Sequence, residues 1–145
     1  MKPYNNGTWT AAEFNRFIIS ALRSTTSKWG PKQKAKANAR VRRGFYLCEC
    51  CKEEVPATIP AVYKSGKKKG QAYRKKNAIV DHIYPVVDPN VGFVSWDVYI
   101  SRMFCELSGF QVLCDKCHAV KCSEERALRT ANKQAKKEEN QTELF

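Results

Sequence analysis

Two pairs of cysteines at the same spacing, Cys48 with Cys51 and Cys114 with Cys117, carry the first chemistry in this 145-residue chain. In a Cys-x-x-Cys turn both thiolates reach one metal, and two such pairs close a tetrahedral zinc site. Adjacent Cys50 and Cys51 can hardly share an ion, so Cys50 is the spare; Cys48-x-Cys50 is the alternative pair. Four thiolates leave no open position, which points to a structural zinc rather than a catalytic one. The chain has two histidines, and both fall near this clasp. His118 follows Cys117, and His82 follows Asp81 between the two pairs. An isolated Asp-His is usually a core histidine bonded to a neighbouring acid; beside a thiolate clasp it becomes a candidate for acid–base chemistry. His118 has a rival reading as a zinc ligand replacing one cysteine. Cys105 and Cys122 read as ordinary small buried or half-buried residues.

Seven cysteines cannot all pair within one chain, and in a reducing compartment Cys-x-x-Cys reads as metal before disulfide. No βαβ pattern surrounds the pairs, which argues against a thiol–disulfide oxidoreductase. The net charge is +12. From Glu124 onward five basic residues face five glutamates, so the whole excess sits in residues 1–123 and favours a polyanion such as DNA. No apolar run spans a bilayer and the N-terminus lacks a signal core, so the expectation is an intracellular protein without a membrane partner.

Helices and strands must position these residues. Thr10 and Glu13 form a capping box, with Trp9 and Phe14 placed for a hydrophobic staple. Phe14, Phe17, Ile18, Ala21 and Leu22 then repeat at helical spacing as a docking face, and the helix ends over 24–27. Gly30-Pro31 opens a second helix. Lys32, Lys34, Lys36, Arg40, Arg42 and Arg43 follow on it without an acid, either as a solvated face or as phosphate contacts. Residues 55–63 and 72–83 read as a β-hairpin whose tip carries Lys67, Lys68 and Lys69. Pro85 and Pro89 bound a loop. A helix over 95–107 presents Trp96, Tyr99, Ile100, Met103, Phe104 and Leu107 on one core face, with Arg102 off that stripe as a phosphate candidate. Gly109 ends it, residues 110–113 are extended, and a helix from Asp115 carries Cys117 and His118. The chain divides into a basic helical extension (1–44), a central unit (45–123) and a charged helical tail (124–145) that frays toward Phe145.

Cys48 and Cys51, then Asp81, His82, Ile83 and Pro85, then Leu113, Cys114, Cys117, His118 and Lys121 together resemble the HNH endonuclease family. The resemblance covers roughly residues 45–123, and the layout is similar to small HNH endonucleases encoded by tailed bacteriophages. It implies an α+β fold with a ββα-metal core, a four-cysteine zinc site, an N-terminal helical extension and a C-terminal helix. By resemblance His82 is the general base that takes a proton from the attacking water, while Asp81 and His118 hold a catalytic Mg²⁺ or Mn²⁺ separate from the zinc. Such a cation offsets phosphate charge and stabilises the leaving oxygen. Lys121 is either a phosphate contact or the last-turn cation of its helix. The family's middle asparagine falls here at Gly109; Gln111, Asn90 or backbone contacts would brace the base instead. The implied activity is hydrolysis of DNA phosphodiesters, leaving 5′-phosphate and 3′-hydroxyl ends. A phage-encoded enzyme would work in the host cytoplasm, with packaging or replication proteins as partners. The competing class is a non-catalytic zinc module that only binds nucleic acid.

Overall fold

Helix α1, Ala11–Thr26, starts at the expected capping box: Glu13 N–H donates to Thr10 Oγ1 at 3.2 Å and Thr10 N–H to Glu13 Oε2 at 2.6 Å. The staple has different partners. Tyr4 bridges Trp9 and stacks on Phe14 at 4.3 Å, while Trp9 leans on Phe17. In this computed structural model, which describes residues 1–143, the docking face of α1 is also narrower than its periodicity predicts. Phe17 is 55% exposed and Ala21 is exposed; Ile18, Ile19 and Leu22 are half-buried and Thr26 is buried. The end of the expected tail, toward Phe145, lies outside the described residues.

Helix α2 runs Gly30–Ala39 and lies against the later strand at Phe110–Leu113, burying Ala35. It stops earlier than the basic run suggests. Arg40–Arg42 is strand β1, paired antiparallel with β2 (Phe45–Leu47), and Arg43 lies in the turn between them. The ladder to Phe45 and Tyr46 supplies partners that a helix at Arg40–Arg43 would forgo. β2 pairs in turn with β3, Glu54–Pro56, across the first cysteine turn.

The expected long hairpin divides in two. Only β4 (Thr58–Val62) and β5 (Ala72–Lys76) form it, and the tip carries Gly66 and Gly70 at φ 78 and 85, conformations that suit glycine. At its root the chain changes sheets. Ala57 O accepts the amides of Asn77 and Ala78, and Ala57 N–H donates to Gly44 O. Beyond this corner β6, Ile79–His82, leaves the hairpin and pairs antiparallel with β7, Phe110–Leu113, from Ile79↔Leu113 to His82↔Phe110.

Helix α3 spans Trp96–Met103, capped by Ser95 Oγ, and is shorter than the expected 95–107. Tyr99 and Met103 are buried, whereas Ile100 and Leu107 are exposed. A 3₁₀ turn at Leu107–Gly109 follows. There a Cβ on Gly109 would come 2.5 Å from Cys105 Sγ, so a side chain at the position expected for the asparagine would require Cys105 to move. Trp29 ties α2 to this segment: its indole N–H donates to Cys105 O at 2.7 Å and its ring meets Phe104 edge-on. Helix α4, Asp115–Thr142, is continuous and packs on β6 and β7 with its N-terminal part. The β1–β2 pair spans the 44/45 boundary and α4 spans 123/124.

The result is a mixed α+β architecture of small antiparallel sheets and helices, as expected at that level. No helix among the described residues is long and apolar enough to cross a membrane.

Candidate metal centre and the adjoining cleft

The first cysteine pair sits in the tight turn between β2 and β3, closed by Cys48 N–H to Glu53 O and Lys52 N–H to Cys48 O. Lys52 takes a left-handed backbone, φ 62, to complete it. The second pair sits where β7 meets α4, with Cys114 as the N-cap residue and Cys117 in the first turn. Glu49 N–H donates to Val112 O and fastens one turn to the other strand. All four Sγ atoms lie within 4.8 Å of one another. A tetrahedron of Zn–S bonds near 2.3 Å has edges of about 3.8 Å, so this donor set fits zinc with little movement. Cys50 is exposed and outside the cluster, as expected for the spare.

The local electrostatics suit thiolates. Burial raises the Cys48 pKa, but the amides of Cys114, Cys51 and Cys50 outweigh it and bring the thiol down to about 6. Cys114 N–H donates to Cys48 Sγ at 3.3 Å, and Cys117 N–H to Cys114 Sγ at 3.5 Å. Cys117 is pushed strongly upward, first by Cys114 and then by burial, because crowded sulfurs cannot all ionise without a cation. Cys48, Val55, Leu113 and Cys114 are buried together around this point, so the metal-binding cluster is also a packed core.

Asn77 joins the knot to the hairpin. It is 7% exposed, donates through Nδ2 to Pro56 O at 3.1 Å and accepts from Asp115 N–H at 3.1 Å. One side chain thus serves the strand corner and an orphan amide at the start of α4. Lys75 adds an ion pair to Asp115 at 3.0 Å. Asparagine's frequent use in turns is the sequence signal here; its partner across the chain gives none.

At the far end of the β6–β7 pair, Asp81 faces α4. Its Oδ2 accepts from Lys121 Nζ at 2.6 Å and from Gln111 Nε2 at 3.1 Å, and its Oδ1 lies 3.7 Å from His118 Nε2. An octahedral Mg²⁺ or Mn²⁺ with ligands at about 2.1 Å holds cis neighbours about 3.0 Å apart, so Asp81 Oδ1 and His118 Nε2 would have to close by about 0.7 Å to share one. His118 Nε2 is also 3.6 Å from Cys122 Sγ, one turn along the helix.

Lys121 makes its contacts inside the protein. It lies in the second turn of a long helix, so the last-turn reading does not hold, and it points inward. Its ammonium bonds Asp81 and the carbonyl of His82 and lies 3.1 Å from Glu125 Oε1. Burial opposes its charge, but Asp81 and Glu125 outweigh that and raise its pKa. That Glu125 oxygen is buried and has no well-aligned hydrogen bond, so Lys121 is its sole electrostatic support among the described residues.

His82, next to Asp81 on the strand, takes different partners, as side chains of adjacent strand residues do. Its Nε2 lies 2.7 Å from Met103 O, and its ring leans on Phe110. A carbonyl only accepts, so Nε2 carries the proton in that bond and Nδ1 is left as the acceptor. The brace is therefore a backbone carbonyl at the end of α3. Gln111 braces Asp81 instead, and Asn90 is engaged by Asn132 Nδ2 at 2.9 Å.

Asp81, His82 and Lys121 line one cleft of about 480 Å³. Its walls come from α1 (Ile19, Arg23), the loop after β6 (Val86, Val87), α3 (Tyr99, Met103) and α4 (Glu125, Arg129). His118 is not on its surface, so Asp81 is the link between the two histidines. No sequence signal marks Arg23, Glu125 or Arg129, because their role depends only on how α1 and α4 are set around β6.

The remaining basic candidates are dispersed. Lys36 lies over the Tyr46 ring, and Arg42 covers Phe45 and reaches Glu54 at 3.8 Å. Lys32 is half-buried, and burial, aided by nearby Lys76, lowers its pKa. Arg40 is the C-cap of α2 and first residue of β1, and Arg43 lies in the β1–β2 turn. Lys67, Lys68 and Lys69 occupy the exposed hairpin tip, with Lys68 over Tyr63. Arg102 lines smaller hollows beside Tyr84 and Val98, outside the Asp81 cleft. Comparison of the chain with family models, curated proteins and solved structures yields no match.

Proposed function

We propose that this protein is a metal-dependent DNA endonuclease of the HNH type, with β6, β7 and α4 as its ββα core and the four-cysteine cluster as a structural zinc site. The observation that carries the reading is the approach of Asp81 Oδ1 and His118 Nε2 to 3.7 Å across the strand–helix junction, with His82 held by Met103 O in the cleft that Asp81 also lines. A divalent cation bound by Asp81 and His118 would offset the phosphate's charge and that of the departing 3′ oxygen. His82 Nδ1, free of the Met103 bond, takes the proton of a water at the cleft. Gln111 keeps Asp81 aligned, and Lys121 meets developing negative charge once a divalent ion shares its carboxylate. The net charge of +12 draws the polyanion to the site, with the basic hairpin tip as a further backbone contact.

The test is plasmid cleavage by zinc-loaded protein with added Mg²⁺ or Mn²⁺, comparing wild type with His82→Ala. The variant keeps its fold and zinc while cleavage falls by about 100- to 10,000-fold. Equal cutting by the two proteins removes His82 from the mechanism. The binding-only reading has one observation on its side: Lys121 already neutralises Asp81. DNA binding without cleavage under every divalent ion tried would decide for it.

A further inference from the structure

The cleft beside Asp81 has two kinds of lining. Apolar residues Ile19, Val86, Val87, Tyr99 and Met103 alternate with charged ones, the cations Arg23, Lys121 and Arg129 and the carboxylates Asp81 and Glu125. Lys121 is spoken for by Asp81 and Glu125. Arg23 and Arg129 make no ion pair or side-chain hydrogen bond among the described residues, and both are exposed. Arg23 also suits the last turn of α1, where a cation meets the helix dipole, but Arg129 sits mid-helix and has no such local reason. At about 480 Å³ the cleft falls within the roughly 300–1,000 Å³ that holds one small ligand. A paired duplex is far too wide to enter, and one lying across the mouth would leave the apolar residues facing only sugar and phosphate.

We propose that this cleft takes an unpaired nucleotide of a single DNA strand. Its base or sugar packs against Ile19, Val86 and Val87, with the buried Tyr99 and Met103 as the floor beneath them, and its flanking phosphates meet Arg23 and Arg129. The combination of cationic track and apolar platform is the general means of holding single strands. The inference rests on the reading of Asp81 and His82 as the reacting end of the cleft. It makes α1 part of the substrate site rather than an appendage, because Ile19 and Arg23 supply one wall.

Full-length, zinc-loaded His82→Ala protein is titrated with a fluorescent oligonucleotide, single-stranded or fully paired, and anisotropy is followed over a salt series. The single strand binds at least about tenfold more tightly than the duplex. Adding Arg23→Ala or Arg129→Ala weakens single-strand binding about tenfold, the size of one lost charge-assisted contact. Each also lowers the slope of log K against log salt by about 0.7. Equal or tighter duplex binding overturns the proposal, as do arginine variants that leave affinity and slope unchanged. Circular dichroism and zinc content confirm that each variant is folded. Parallel cleavage assays on wild type separate this inference from the nuclease reading. Cutting confined to duplex sinks the inference and leaves the nuclease. Absence of cutting alongside strong single-strand preference sinks the nuclease and leaves the cleft's ligand standing.

Discussion

The sulfur knot and the Asp81 cleft occupy opposite ends of the same strand pair, yet they are built by different means. At the Ile79↔Leu113 end, backbone geometry does nearly everything: a tight turn, a helix start, and amides pointing at sulfur. At the His82↔Phe110 end, side chains from β6, β7 and α4 hold one another, and Asp81 is aligned by Lys121 and Gln111 rather than by the main chain. The four crowded thiols could be neutralised by one metal ion. The cleft carries its own counter-charge in Lys121. One end is thus closed by backbone and sulfur, and the other by side-chain ion pairs.

The sharpest way to break this contrast is to remove one sulfur. Cys48→Ser deletes a ligand whose side chain is fully buried against Val55, Leu113 and Cys114. Structural zinc at such sites contributes on the order of 10 kcal/mol, so the variant loses zinc and the cooperative unfolding of residues 45–123. Zinc content and thermal melts read the result. A Cys48→Ser protein that melts like wild type would show that the cluster is not what holds this end together.

Asn77→Ala comes next in size. It strands Pro56 O and Asp115 N–H, two groups that Asn77 alone satisfies across the corner. Each unsatisfied buried group costs about 1–3 kcal/mol, so a loss of about 2–4 kcal/mol in denaturant unfolding is expected. A loss below about 1 kcal/mol would mean that water replaces the side chain.

What the sequence displays and what it hides follow the same division. Cys48, Cys51, Cys114 and Cys117 are legible because the chemistry lies in local spacing. The Thr10–Glu13 box and the glycine-bearing hairpin tip are legible for the same reason. The end of α2 is not, because Arg40–Arg42 become a strand only when Phe45 and Tyr46 fold back beside them. Apolar period alone cannot tell that Phe17 stays outside, since Trp9 covers one side of it and no core element reaches the other. Lys121 looks like any surface lysine of a helix until Asp81 is placed opposite. Asp81 and His82 are visible as a motif, but their divergence to different partners depends on where α3 ends at Met103.

Lys121→Met probes the cleft end with a smaller effect. Asp81 and Glu125 lose their shared cation, and with side chains 15% and 22% exposed the cost is about 1–3 kcal/mol. If Asp81 and His118 accept a divalent ion, Mn²⁺ raises the melting temperature of the variant more than that of wild type, because it supplies the missing charge. Calorimetric scans with and without Mn²⁺ make the comparison. Equal Mn²⁺ effects on the two proteins would count against a cation at Asp81.

The smallest effect concerns α1, the outer wall of the cleft. Glu13 is held below its ordinary value of 4.5, chiefly by the Thr10 amide and then by the Thr10 hydroxyl. Its folded pKa is lowered, so its contribution is present above that ordinary value and lost as pH falls through the lowered one. The Thr10 amide resonance, bonded to Glu13 Oε2 at 2.6 Å, reports this directly and should titrate at a pH below that of an unperturbed glutamate. Glu13→Gln abolishes the titration. A Thr10 amide titrating at the unperturbed value would mean that the box is open in solution. The α1 wall would then be a mobile flank of the cleft, and the grip of Arg23 on a strand would have to be induced by the strand itself.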